Sequence, residues 1–243
     1  MGVWVCERVR GGEMVRGRNP DVLAVRRAPR DPRPAPPSSV LRPSSAPRAP
    51  RLAPAVGVVL AGGASRRMGR DKALLPVDGR PLIHRVVGAL QAVFDDVLVV
   101  GRPPGWLDWP GVRCVDDREP GRGPLGGLAT AMAEAAGKPI FAAGCDMPFL
   151  SPTAISFVLD MLGDYDATVP LIDGIPQPLH AAYASSCYPI ILRHLAEGDL
   201  SVRSLIRSLS THFLAQEDFR QIDPELSGFR SLNTPEEYKR VSE

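Results

Sequence analysis

Residues 56–75 read VGVVLAGGASRRMGRDKALL. Val56–Leu60 has no polar side chain and runs straight into Gly62-Gly63, which predicts a short buried strand opening into a loop. Gly62, Gly63 and Gly69 let the backbone approach a ligand closely and aim N–H groups at anionic oxygen. Arg66, Arg67, Arg70 and Lys72 place four cations in the same loop, reinforcing those donors toward phosphate. The Gly-x-x-x-x-Gly-Lys-Ser/Thr spacing of a Walker A loop is missing. A surface loop with solvated charges is the bland alternative.

Downstream of this loop, helical and strand-like patterns alternate. Pro81–Phe94 has apolar residues at helical spacing, with Pro in the first turn. Val97–Val100 and Val112–Val115 read as strands, Leu125–Ala136 as a small-residue helix ending at Gly137, and Ile140–Ala143 as a fourth strand. Pro152–Leu162 is a helix with Ser151 as its N-cap. Ala167–Leu171 and His180–Ala184 look like further strands, followed by helices over Tyr188–Ala196 and Ser201–Leu209. This alternation predicts an α/β fold, a mostly parallel sheet with helices on both faces, in which ligands collect at the carboxyl ends of the strands.

Upstream the texture differs. Residues 1–54 hold 11 Arg, no Lys, 4 acidic residues and 10 of the 26 Pro. Pro recurs too often there for a helix or central strand, and little could form a core. The expectation is a disordered Arg/Pro-rich extension over 1–54 and one domain over 55–243. Those later residues carry 18 basic against 23 acidic side chains, so the body is not built to bind a polyanion over a broad surface. Nucleic acid is not expected as a partner. No apolar run approaches the length of a membrane span, and the N-terminus lacks a secretory pattern. Cys6, Cys114, Cys145 and Cys187 form no CxxC pair, which predicts free thiols in a cytoplasmic protein.

Three acidic residues fall at predicted strand ends. Asp146 follows IFAAG and precedes Met147-Pro148, where a buried strand opens; it is a candidate ligand for a hard cation, or else a cap for the segment at Ser151. Asp116 and Asp117 are adjacent, and spacing alone does not choose between them. A carboxylate there, accepting only, suits the N–H edge of a base or a ribose hydroxyl, or an Asx turn. The run GRGPLG from Gly121 to Gly126 also matches G-x-G-x-x-G, with Asp146 20 residues beyond it. It lies in the third strand–helix unit and leaves the basic first loop unexplained, so a dinucleotide site is disfavoured. His180 is either a substrate-orienting or a structural residue. Asn233–Glu237 reads as a capping box with Thr234 as N-cap.

LAGGxSxRMGxDKxLL, from Leu60 to Leu75, resembles the loop of the molybdenum cofactor guanylyltransferases, a nucleotidyltransferase family. The resemblance extends through Gly79-Arg80-Pro81-Leu82-Ile83, DREPGRGPLGG (Asp117–Gly127), CDMPF (Cys145–Phe149), PLHAAY (Pro178–Tyr183) and NTPEE (Asn233–Glu237). It implies a three-layer, Rossmann-like nucleotidyltransferase fold and transfer of GMP from GTP to the terminal phosphate of molybdopterin, with Mg²⁺ and loss of pyrophosphate. By this resemblance Leu60, Ala61, Gly62 and Gly63 would hold the nucleotide through backbone groups. Arg67 and Lys72 would steady the phosphates and the leaving pyrophosphate. The family's Asp-x-x-Pro-Gly-x-Gly pattern selects Asp117 as the nucleotide contact, and Asp146 would meet nucleotide and metal. His180 and Asn233 would lie near the pterin. The implied partners are GTP, molybdopterin or its molybdenum-loaded form, and molybdoenzyme maturation proteins, without a membrane. Some family members carry Asn after the second strand, where this chain has Gly101. Relatives that use CTP tend to read LAAG, against LAGG here, so a cytidylyl or other nucleotidyl transfer to a pterin or sugar phosphate is the runner-up.

Overall fold

The computed structural model describes residues 54–62, 72–77, 79–102, 106–234 and 237–238. The extension over 1–54, apart from Pro54, lies outside them, as do Gly63, Arg66, Arg67 and Arg70.

Two clusters of apolar side chains sandwich an eight-stranded sheet. Strands β1 (Val56–Leu60), β4 (Val97–Val100), β5 (Val112–Val115), β6 (Ile140–Gly144), β7 (Ala167–Ile172), β9 (His180–Tyr183) and β10 (Thr211–Ala215) run in the order β10-β7-β9-β6-β1-β4-β5, and the short β8 (Ile175–Pro176) pairs with β7. β1 pairs in parallel with both β4 and β6, and β4 with β5. β1, β4 and β6 are buried along their whole length, as expected of central strands covered on both faces. Alternate residues serve opposite layers. Val59, Val97, Val99 and Phe141 face α1 (Leu82–Gln91) and α3 (Pro152–Asp160), whereas Val58, Leu60, Leu98 and Ile140 face α2 (Gly123–Ala135), α4 (Cys187–Glu197) and α5 (Val202–Ser208). The three-layer α/β expectation therefore holds.

The departures are local. A two-residue hairpin, β2 (Pro76–Val77) with β3 (Arg80–Pro81), precedes α1, so Pro81 is the extended residue before the helix rather than part of its first turn. α2 begins at Gly123, two residues earlier than the apolar pattern suggests, and ends where Ala136 turns left-handed. Ser151 caps α3 as read, and Ser201, read as the first residue of its helix, is instead the N-cap of α5; each accepts an N–H from three residues on. β9 runs antiparallel to β6 and β7. β10 and α6 (Gln216–Arg220) were not anticipated; β10 pairs with β7 in parallel at the sheet edge. No helix among the described residues is long and apolar enough to cross a membrane.

Candidate active site

The carboxyl ends of β1, β4, β5 and β6 are stitched together by backbone hydrogen bonds. The Leu60 carbonyl accepts the Cys145 N–H at 3.3 Å, the Ala61 N–H donates to Val100 at 2.9 Å, and the Gly101 N–H donates to Val115 at 2.9 Å. Leu60 and Ala61 are buried, with the Leu60 side chain packed beneath α2 against Gly127. Their inner polar groups are thus committed to the sheet, and what they can offer a ligand is the backbone from Ala61 into the exposed Gly62. Gly101 lies across from that turn with φ +87°; a Cβ on it would stand 2.5 Å from the Gly62 Cα. The chain passes too closely here for any side chain at 101, which explains the departure from Asn.

Asp117 follows β5. Its Oδ1 accepts the Glu119 N–H at 3.0 Å, closing an Asx turn, and the Thr130 hydroxyl at 3.0 Å. Its Oδ2 lies toward Gly62, 3.9 Å from where a Cβ on that glycine would be. The two expectations for Asp117 are therefore compatible: one oxygen holds the loop while the other faces the strand ends. Asp116 is exposed.

Asp146 follows β6 and folds back over Gly144, where a Cβ would come within 2.6 Å of Oδ1. Burial raises its pKa above the ordinary carboxylate value, while its own backbone and the Lys72 charge pull the other way. The Asp146 carbonyl accepts the Leu232 N–H at 2.9 Å, which brings the C-terminal segment onto the site. There Lys72 Nζ, from the short helical turn Lys72–Leu74, reaches the Asn233 carbonyl at 3.4 Å and its Oδ1 at 3.5 Å. The anticipated capping box fixes this segment. Glu237 accepts the N–H groups of Asn233 and Thr234, which hold its pKa down, and donates its own N–H to Thr234 Oγ1. Tyr238 is buried, and its phenol pKa is raised by burial and then by Cys145, Asp146 and Glu237.

The described parts of the expected site thus converge: Leu60, Ala61 and Gly62 with Asp117 on one side, Lys72, Asp146 and Asn233 on the other. Gly63 and Arg67 lie outside the described residues. His180 does not join them as a ligand-facing group. Its ring is fully buried, stacked on Phe229 at 4.3 Å and edge-on to Phe141 at 5.4 Å. Burial depresses its pKa to about 3, against smaller opposing effects of the Gly228 backbone and Asp223. Those surroundings fit the structural alternative for His180. Cys145 is half-buried beside Asp146, and Cys114 and Cys187 are buried free thiols. Sequence reading missed Thr130, whose signal was faint: a polar residue buried in a helix of Gly, Ala, Leu and Met.

Among the described residues no group of three or more His, Cys, Asp or Glu could hold a metal by itself. One half-buried carboxylate at a strand end fits a hard cation that takes its other oxygens from phosphates and water.

Residues 57–213 match the family model described as MobA-like NTP transferase domain. A molybdenum cofactor guanylyltransferase of Desulfosudis oleivorans is 33% identical over 76% of this chain and 93% of its own length. A probable molybdenum cofactor guanylyltransferase of Methanothermobacter thermautotrophicus is 37% identical over 74% of this chain and 95% of its own. Among solved structures, molybdopterin-guanine dinucleotide biosynthesis protein A of Archaeoglobus fulgidus superposes with a TM-score of 0.67 at 26% identity, covering 77% of this chain and 96% of that one.

Proposed function

The chain belongs to the MobA-like NTP transferase family, and from that premise we propose that it transfers GMP from GTP to the terminal phosphate of molybdopterin, or of its molybdenum-loaded form, releasing pyrophosphate. The observation that carries this reading is the meeting of Lys72, Asp146 and the Asn233 segment at the end of β6, opposite Asp117 and the Gly62 turn.

The reaction is an in-line displacement at the α-phosphorus of GTP. The attacking phosphate oxygen is already anionic, so no strong general base is needed, and catalysis is positioning plus charge neutralisation. Among the described residues Lys72 reaches two uncharged oxygens of Asn233 at long distances, and charged triphosphate oxygens displace such weak partners readily. Once displaced, the ammonium balances charge on the leaving pyrophosphate; Arg67 is assigned to the same task. Asp117 Oδ2 accepts from the nucleotide, while the backbone at Gly62 and Gly63 approaches it closely. Asp146 would hold Mg²⁺, which when bound supplies a further positive charge to the phosphate oxygens. Asn233 would orient the acceptor beside Lys72. The reaction is assigned to the cytoplasm, with molybdoenzyme maturation proteins receiving the product.

The test is a panel of GTP, CTP, ATP and UTP with molybdopterin as acceptor and pyrophosphate as readout. GTP is expected to be used preferentially; preference for CTP, or for a sugar phosphate acceptor, would overturn the guanylyl assignment. Asp146→Ala is expected to lower transfer by roughly two or more orders of magnitude. A near-normal rate in a folded variant would remove Asp146 from the machinery.

A further inference from the structure

Thr130 sits on α2 with only 1% of its surface exposed. A buried threonine in a helix commonly returns its hydroxyl proton to a carbonyl in the preceding turn. Here the proton goes sideways, to Asp117 Oδ1 at 3.0 Å, and the hydroxyl oxygen accepts the Arg118 N–H at 3.0 Å. One turn further along α2, Glu134 pairs with the Arg118 guanidinium. The helix therefore grips the start of the β5–α2 loop through both the backbone and the side chain of residue 118. Asp117 Oδ1 receives two donors, Glu119 N–H from its own turn and Thr130 O–H from the helix. Two donors arriving at one oxygen from separate elements fix the plane of the carboxylate, and Oδ2 is left facing Gly62.

We propose that Thr130 is a positioning residue for nucleotide recognition, its buried hydroxyl setting the Asp117 carboxylate so that Oδ2 presents one fixed acceptor toward the Gly62 turn. This rests on the reading that Asp117 contacts the nucleotide. Without the hydroxyl the Asx turn still forms, but the carboxylate is held from one side only and pivots about it. The Arg118 N–H also loses its buried acceptor, which loosens the loop rather than the sheet. The loss falls on nucleotide affinity, because neither Lys72 nor Asp146 touches α2 through these bonds.

The experiment is a double-mutant cycle on the full chain, with equilibrium GTP binding and steady-state transfer both measured and folding checked by thermal melting. Thr130→Val, close to isosteric, is expected to raise the GTP Kd and KM by about tenfold, the loss of roughly one charge-assisted hydrogen bond. Its kcat at saturating GTP is expected to stay within about threefold of native. Thr130→Ser restores affinity to within about twofold. In an Asp117→Ala background, Thr130→Val adds less than about twofold, because the residue it positions is gone. If Thr130→Val does not fold, Thr130→Ala replaces it in the same cycle. A valine variant with native GTP affinity, or one whose penalty is as large in the Asp117→Ala background as in the native chain, overturns the proposal and leaves the Asp117 assignment standing. If instead Asp117→Ala itself binds GTP normally, the underlying reading of Asp117 fails, and with it the proposal. Running ITP and 2′-deoxy-GTP beside GTP separates the two groups that Oδ2 could accept from: a smaller Thr130→Val penalty with ITP points to the base edge, and a smaller one with the deoxynucleotide to the ribose.

Discussion

Replacing Gly101 by Ala puts a methyl group where the ends of β1 and β4 come closest. The added Cβ would stand 2.5 Å from the Gly62 Cα and 2.6 Å from its nitrogen, both backbone atoms that cannot rotate away. The residue also has φ +87°, beyond what a side chain adopts comfortably. The conformational strain costs of order 1–3 kcal/mol, and relieving the clash by moving the Gly62 turn adds about 1–3 kcal/mol more. A total near 3 kcal/mol corresponds to a fall in Tm of about 6–12 °C for a fold of this size. The displaced turn is the one that faces Asp117 Oδ2, so GTP affinity should fall as well, by about tenfold. Thermal melting followed by fluorescence, with and without GTP, measures both effects. Gly198→Ala is the control, since that residue also has a positive φ, +76°, but nothing lies within 4 Å of its added Cβ. It should show the conformational cost without the clash and bind GTP normally. Should Gly101→Ala melt no lower than Gly198→Ala, the close approach of the two strand ends does not carry the energy assigned to it.

Two further outcomes concern stability alone. His180 is neutral in the fold, with its pKa depressed from 6.5 to about 3, so the unfolded chain binds a proton that the folded chain refuses. Its contribution is intact above pH 6.5 and is lost at about 1.4 kcal/mol per unit as pH falls toward 3; urea titrations at stepped pH should show that slope flattened in His180→Leu. Gly88 lies mid-helix in α1, exposed and with nothing near its missing Cβ, so Gly88→Ala should raise stability by about 0.5–1 kcal/mol, read as a small upward shift in Tm.

The central architecture was legible because burial on both faces leaves an unmistakable record: VGVVL, VLVV and IFAAG contain no polar side chain, and each becomes a fully buried strand. At the sheet edge that record fades. In β10 only Leu214 is buried, so Thr211–Ala215 carries neither an apolar run nor a clear alternation. The reversed direction of β9 leaves no trace in HAAY, since a buried strand looks the same whichever way it runs. The same distinction governs the site. Asp117 and Asp146 were visible because short motifs mark strand ends, and Thr130 was not, because its partner lies 13 residues away across a loop and a helical turn. His180 was ambiguous in sequence for a related reason: a histidine at a strand start looks alike whether it meets a ligand or, as here, two phenylalanine rings.

The contact between Lys72 and Asn233 joins residues separated by 161 positions, and the Leu232 bond to Asp146 fastens the same late segment. During synthesis the strands that carry Asp117 and Asp146 leave the ribosome well before residues 232–238. A nascent chain can therefore lay down its central sheet while the segment that meets Lys72 and Asp146 is still missing. Lys72 and the Asp146 carbonyl gain these partners only after the strands of the central sheet have been made. In order of synthesis, the rim around Asp146 follows the core.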